Sequence, residues 1–237
     1  MSQTKEESMP ALVFWIDVDN TLLNNDHVKA ELESELRAVL GEVLTERFWS
    51  LYEAVRHERG VVDIPQALAR LRAQTPLQEL PEVTFRHACA LFEQYPFAAA
   101  LYPEARETLE HLSRLGLTVI VSDGDHLFQA EKIVNSHLAE AVGGRVLIYD
   151  HKERHLEETM GRYPGEHYVA IDDRLDLLAA CKSQLGERLT TVFVHQGRHA
   201  EEGLQRPGHY QADRSVEAIG ELRRYEAADF LLAGSNH

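Results

Sequence analysis

Cysteine is nearly absent. Cys89 and Cys181 are the only two in 237 residues, they lie far apart, and no CxxC spacing occurs. That argues against a disulfide framework or a cysteine-rich metal site, and it suits a reducing compartment. Positive charge is also scarce: 24 Lys and Arg stand against 39 Asp and Glu, a formal net charge of -15. Nucleic acid or an anionic membrane surface is therefore disfavoured as the main partner. A small anionic substrate is not, because its binding is decided by the local field. Long apolar runs are missing as well. The longest are far too short to cross a bilayer, and the opening MSQTKEESMP has no apolar signal-peptide core. No internal repeat or low-complexity tract occurs. The expectation is a soluble cytoplasmic protein with frayed ends over roughly 1–9 and 232–237; its oligomeric state is open.

What is present is ordinary for a globular chain: 44% hydrophobic and 27% charged residues, with length enough to bury a core without staples. Five short segments are apolar and rich in β-branched or aromatic residues: 11–17, 117–122, 145–149, 167–171 and 190–194. They are nearly continuous rather than alternating, as strands buried on both faces of a parallel sheet must be. Helical patterns separate the last four. Leu127, Ala130, Ile133, Val134 and Leu138 follow the second strand; Leu175, Leu178, Ala179 and Cys181 follow the fourth, with Gly186 as a stop. Ahead of the second, Ala105, Leu109, Leu112 and Leu115 repeat at helical spacing. This alternation predicts a doubly wound α/β sheet.

The interval 26–95 breaks the pattern. It holds no convincing strand but four helical stripes: Val28, Leu32, Leu36, Val39 and Leu40; Phe48, Leu51, Tyr52 and Val55; Ile64, Leu68 and Leu71; and Phe85, Cys89 and Phe92. Four amphipathic helices can make a small bundle. The prediction is an α/β core over 10–25 and 96–231 with a helical unit, 26–95, inserted behind the first strand.

Ligands of open parallel α/β sheets bind beyond the carboxyl ends of the strands. There the first strand presents Asp17, Asp19, Asn20 and Thr21, and the second Ser122, Asp123, Gly124 and Asp125. The third presents Asp150, His151 and Lys152; the fourth Asp172 and Asp173, with Asp176 one turn on; the fifth His195, Gln196 and Gly197. Several aspartates in one small site repel unless a cation sits among them. Oxygen donors favour a hard cation, and Mg2+ suits a site that keeps room for water and phosphate. Ser122 and backbone N–H groups can hold phosphate oxygens, and Lys152 can balance charge.

In sum, these residues resemble the haloacid dehalogenase (HAD) superfamily of phosphotransferases. DVDNT (17–21) matches its first motif, VIVSDG (119–124) its second, Lys152 its third, and VAIDDRLD (169–176) its fourth, all in order over nearly the whole chain. The resemblance implies that Asp17 is a nucleophile forming an aspartyl-phosphate and Asp19 the general acid and base. It implies that Ser122 and Lys152 hold the phosphoryl oxygens, with Asn20, Thr21, Asp123 and Gly124 as further substrate-binding positions. Mg2+ would be held by Asp17, Asp19 (through its carbonyl), Asp172 and Asp173, and the insertion would be a helical cap. The implied activity is a Mg2+-dependent phosphohydrolase acting on a small phosphorylated metabolite. A phosphomutase uses the same core, dehalogenation would need no acid at position 19, and a receiver-type signalling domain places its acidic residues differently along the strands.

Each residue also has a plainer reading. Asp17 or Asp19 alone could cap a turn, and Ser122 could cap the next helix. Lys132 rivals Lys152 for the third motif, but its place on the helix after motif two predicts a surface lysine. His151 and His155 are spaced i, i+4 without the Glu of HExxH, which predicts a solvated face rather than a zinc site. RHERG (56–60) could face substrate; a solvated helix end is the preferred reading.

Overall fold

In a computed structural model of the chain, residues 10–60 and 62–231 are described; the expected fraying at 1–9 and 232–237 lies outside them. The order opens with β1 (Leu12–Ile16) and four helices, α1 (Asn25–Leu40), α2 (Glu42–Arg59), α3 (Ile64–Gln74) and α4 (Glu82–Glu93). Alternation follows: α5 (Ala105–Leu115), β2 (Leu117–Asp123), α6 (His126–Asn135), α7 (Leu138–Ala141), β3 (Val146–Tyr149), α8 (Leu156–Arg162) and β4 (His167–Asp172). The chain continues through α9 (Leu175–Leu185), β5 (Leu189–Val194), α10 (Gly197–Gln205), β6 (Arg214–Val216) and α11 (Ala227–Leu231). The six strands form one sheet in the order β3-β2-β1-β4-β5-β6, and every pairing is parallel. This is the α/β, doubly wound, Rossmann-like sheet the sequence predicts. Five of its strands agree with the expected segments to one residue at each end; β6 was not expected.

The sheet is apolar on both faces, which is why its strands read as continuous runs. Leu12, Phe14 and Ile16 face one layer, while Val13 and Trp15 face the other, and all five are buried. The first layer also takes in Ile120, Val169, Ile171 and Val192, together with Val28, Leu36, Phe48, Leu71 and Phe92 of the four inserted helices. The second is closed by Leu156 of α8 and Leu175, Leu178 and Cys181 of α9. Fully burying a side chain such as Phe14 or Phe48 contributes about 1.5–3 kcal/mol, so the inserted helices are fastened by the same term as the sheet. Two of them have a side-chain cap: Asn24 accepts from His27 N at 3.0 Å to begin α1, and Asp63 accepts from Gln66 N at 2.8 Å to begin α3. α1 packs on α2 and α4, and α2 on α3. Among the described residues no helix is long and apolar enough to cross a membrane.

Candidate active site

The strand order reverses at β1. The chain runs from β1 outward through β2 to β3, then returns to place β4 on the other side of β1. A crevice opens at such a switch point, beyond the carboxyl ends of the strands. Asp17 leaves β1 there, and Asp172 and Asp173 leave β4 beside it; one carboxylate oxygen from each lies within 4.8 Å of the others, and all three residues are buried. At such separations each like-charged pair costs roughly 3–4 kcal/mol at an effective dielectric near 20.

Lys152 supplies one opposing charge. Its Nζ, buried, contacts Asp17 Oδ1, Asp172 Oδ2 at 2.7 Å and the Val121 carbonyl at 3.1 Å. Burial alone would lower its pKa, but the charges of Asp17, Asp172 and Asp123 hold it well above the usual lysine range. One lysine does not satisfy three carboxylates. Burial pushes the Asp17 carboxyl up to about 7, with Lys152 opposing the rise and Asp172 and Asp19 adding to it. Burial and the charges of Asp172 and Asp17 push Asp173 up to about 9, and its Oδ2 is buried without a partner. Unmet oxygen donors and an excess of negative charge fit a hard divalent cation such as Mg2+. Asp17, Asp172 and Asp173 are the residues able to hold it, and they form the only such carboxylate, imidazole or thiolate cluster among the described residues.

Asp19 lies at the cavity edge and is partly exposed. Here one expectation is corrected: Lys132 is not a surface lysine but 2% exposed, donating to Asp19 Oδ1 at 2.7 Å, Asp19 Oδ2 at 2.9 Å and Asn25 Oδ1 at 3.1 Å. Lys152 nevertheless keeps the place expected of it, so the two lysines serve different aspartates. α6 turns a polar face inward, with Gln129 and Lys132 buried, whereas Leu127 and Val134 of its apolar pattern are exposed. Gln129 Nε2 donates to Ser122 Oγ at 2.8 Å. That leaves the Ser122 hydroxyl hydrogen free to donate elsewhere.

The remaining expected positions divide. Asn20 adopts a left-handed φ of 62° and its Oδ1 accepts from Asp26 N at 3.2 Å, fixing the turn into α1. Gly197 packs so close to it that a Cβ would lie 2.4 Å from Asn20 Cγ. Thr21 is fully buried and does not line the cavity, so its side chain is not brought to the substrate side. Asp123 Oδ1 accepts from Lys152 N at 2.7 Å, tying the loop after β3 to β2, while Gly124 lines the cavity. Asp176 is exposed and meets Arg174 at 3.5 Å. His151 and His155 stay partly exposed without forming a ligand cluster, and His155 stacks on Tyr149 at 4.5 Å. Of RHERG, Arg56 lines the cavity although its side chain is half exposed. The solvated reading therefore holds for its exposure and not for its position.

The cavity itself is about 160 Å³. Its floor is the acidic sheet edge. Its walls include Leu32, Trp49, Tyr52, Ile64 and Phe92 from the inserted helices and Phe128 from α6. Such an enclosure suits a small ligand with a charged end and a short body.

Residues 12–183 match the haloacid dehalogenase-like hydrolase family. A Burkholderia xenovorans protein described as haloacid dehalogenase-like is 43% identical, with a TM-score of 0.81 over 91% of this chain and 99% of that one. The L-2-haloacid dehalogenase of Xanthobacter autotrophicus is 18% identical, TM-score 0.54, over 91% and 98%. A magnesium-bound HAD hydrolase of Bacillus subtilis is 14% identical, TM-score 0.57, over 90% and 97%. The last two are likenesses of fold alone. No curated protein matches the chain.

Proposed function

The chain belongs to the haloacid dehalogenase-like hydrolases, and on that premise we propose that it is a Mg2+-dependent phosphohydrolase of a small phosphorylated metabolite. The observation that carries this is the unmet Asp173 oxygen beside Asp17 and Asp172, with Lys152 as their one cationic partner. That set suits a divalent cation and a phosphoryl group better than the cation-free approach of a neutral carbon centre. A bound Mg2+ would neutralise the carboxylates and let an anionic phosphate approach them.

This chain's own groups then divide the work. An Asp17 oxygen attacks phosphorus, the bond to the ester oxygen breaks, and Asp19 gives that oxygen its proton. Water then attacks the aspartyl-phosphate while Asp19 takes a proton back, and inorganic phosphate leaves with Asp17 regenerated. Lys152 and the Ser122 hydroxyl stabilise charge on the phosphoryl oxygens as it builds. Gln129 sets the direction of that hydroxyl, and Lys132 donates to the ionised Asp19, the form that takes a proton from water in the second step. Helices α1–α4 act as a cap that excludes water and selects the substrate. Asn20 lines the cavity at the turn that leads into this cap, whereas Thr21 serves that turn without reaching the cavity.

The test is inorganic phosphate release across a panel of sugar phosphates, nucleotides and phospho-acids with Mg2+. Release that stops with EDTA and is lost in Asp17→Asn is expected. Full activity of Asp17→Asn on p-nitrophenyl phosphate would overturn the mechanism. Product analysis separates hydrolysis from a phosphomutase, which returns the phosphoryl group to its substrate.

A further inference from the structure

The cavity is polarised. Its acidic residues, Asp17, Asp19, Asp123, Asp125 and Asp173, all come from the sheet edge, whereas the inserted helices contribute no carboxylate to its lining. They contribute Lys29 from α1 and Tyr52 and Arg56 from α2. Tyr52 and Arg56 are four residues apart and so share a helix face. In a chain with a net charge of -15, such a wall calls for a reason.

Partners sharpen the point. Every other basic side chain lining the cavity has a carboxylate beside it: Lys152 meets Asp17, Lys132 meets Asp19, Arg174 meets Asp123 and Asp176 at 3.5 Å, His199 meets Glu202 at 3.8 Å, and Arg56 meets Glu53 at 3.5 Å. Lys29 makes neither an ion pair nor a side-chain hydrogen bond among the described residues. Burial draws its pKa below the ordinary lysine value, while Asp19 raises it and Lys132 lowers it further. Tyr52, 5% exposed, likewise has a hydroxyl without a hydrogen bond among the described residues. Lys29 is half-buried and both groups line the cavity, so each can give up water there to a ligand.

We propose that Lys29, with Tyr52 and Arg56 on the same helical wall, forms a second anion-binding subsite for a carboxylate or a second phosphate on the leaving group of the substrate. The proposal rests on the phosphohydrolase reading for the near end. The same wall carries Leu32, Ile64 and Phe92, so the substrate class is a short molecule with an apolar body, a phosphate ester and an anion on its leaving group.

Affinity and turnover separate the two claims. Three probes of one chain length are compared with Mg2+ present: n-propyl phosphate, 3-phosphonooxypropanoate and propane-1,3-diyl bisphosphate. Calorimetry is done on the Asp17→Asn protein, and turnover is measured on the wild type. One or both of the doubly anionic probes should bind about tenfold or more tightly than propyl phosphate, as a single charge-assisted contact gives. Whichever is preferred identifies carboxylate or phosphate as the distal group. That preference should fall to near unity when Lys29→Met is added and survive with Lys29→Arg. Equal affinity for all three, or a preference that persists in the Lys29→Met protein, overturns the subsite. Binding with the expected preference but no turnover of any probe would leave the subsite standing and count against the phosphohydrolase reading.

Discussion

The two sides of the cavity are built on opposite chemistry. The sheet edge gathers carboxylates at the ends of β1 and β4 and opposes them with a buried lysine; the inserted helices present a lysine, an arginine and a phenol over an apolar wall. The edge is held by sheet registry: β1 pairs with β2 and β4 residue for residue up to Ile16, so Asp17 cannot move without shifting the sheet. The wall is carried on helices that touch the sheet through side chains. The difference teaches which parts are shared and which can be tuned. Groups whose relative position must be correct to a fraction of an ångström sit on strand ends, and the groups proposed to choose among substrates sit on helices.

Changes at the edge should therefore abolish chemistry, and changes at the wall should redistribute affinity. The largest effect is expected from Asp17→Asn, on the order of 10⁴-fold or more in kcat, read by phosphate release. Next is Lys152→Met, which leaves three buried carboxylates without their counter-charge. Breaking a buried pair of this kind costs about 3–5 kcal/mol, so urea unfolding should show a lower midpoint alongside lost turnover. Asp19→Asn should lower kcat by about 10²–10⁴-fold, the range of general acid–base catalysis. Lys132→Met, which frees Asp19 without removing it, should lower kcat less than Asp19→Asn does. If instead Lys132→Met changes only KM, the lysine belongs with the wall and the comparison breaks. Mg2+ at about 100 times its Kd should stabilise the wild type by about 2.7 kcal/mol, and Asp173→Asn should shrink the rise in Tm. Tyr52→Phe should have the smallest effect, a few-fold change in KM with kcat preserved.

How far the sequence reveals this depends on the element. Strands buried on both faces are continuous apolar runs, so five of them and their ends are plain; β6, Arg-Ser-Val, is too short and polar to stand out. The four insertion helices announce themselves through stripes such as Val28, Leu32 and Leu36, whereas the caps at Asn24 and Asp63 show only in the fold. α6 misleads, because hydrophobic periodicity assumes that the buried face is the apolar one. Here the site takes the polar face, leaving Leu127 at 60% and Val134 at 58% exposure. Lys132 reads as a surface lysine for the same reason, and because its partner Asp19 lies 113 residues away in the chain. Arg56 and Lys29 carry no local signal of cavity position; only the folding of α1 and α2 over the sheet edge brings them there.

The most direct test of the central claim is the chemical identity of what Asp17 carries during turnover. Enzyme mixed with Mg2+ and a hydrolysable phosphate ester is quenched in acid, digested, and its Asp17 peptide analysed by mass spectrometry. A phosphoryl group on Asp17, absent when EDTA is added first, is the expected result. An alkyl ester on Asp17 formed from a 2-haloacid with release of halide, and no phosphoryl adduct from any phosphate ester, would contradict it.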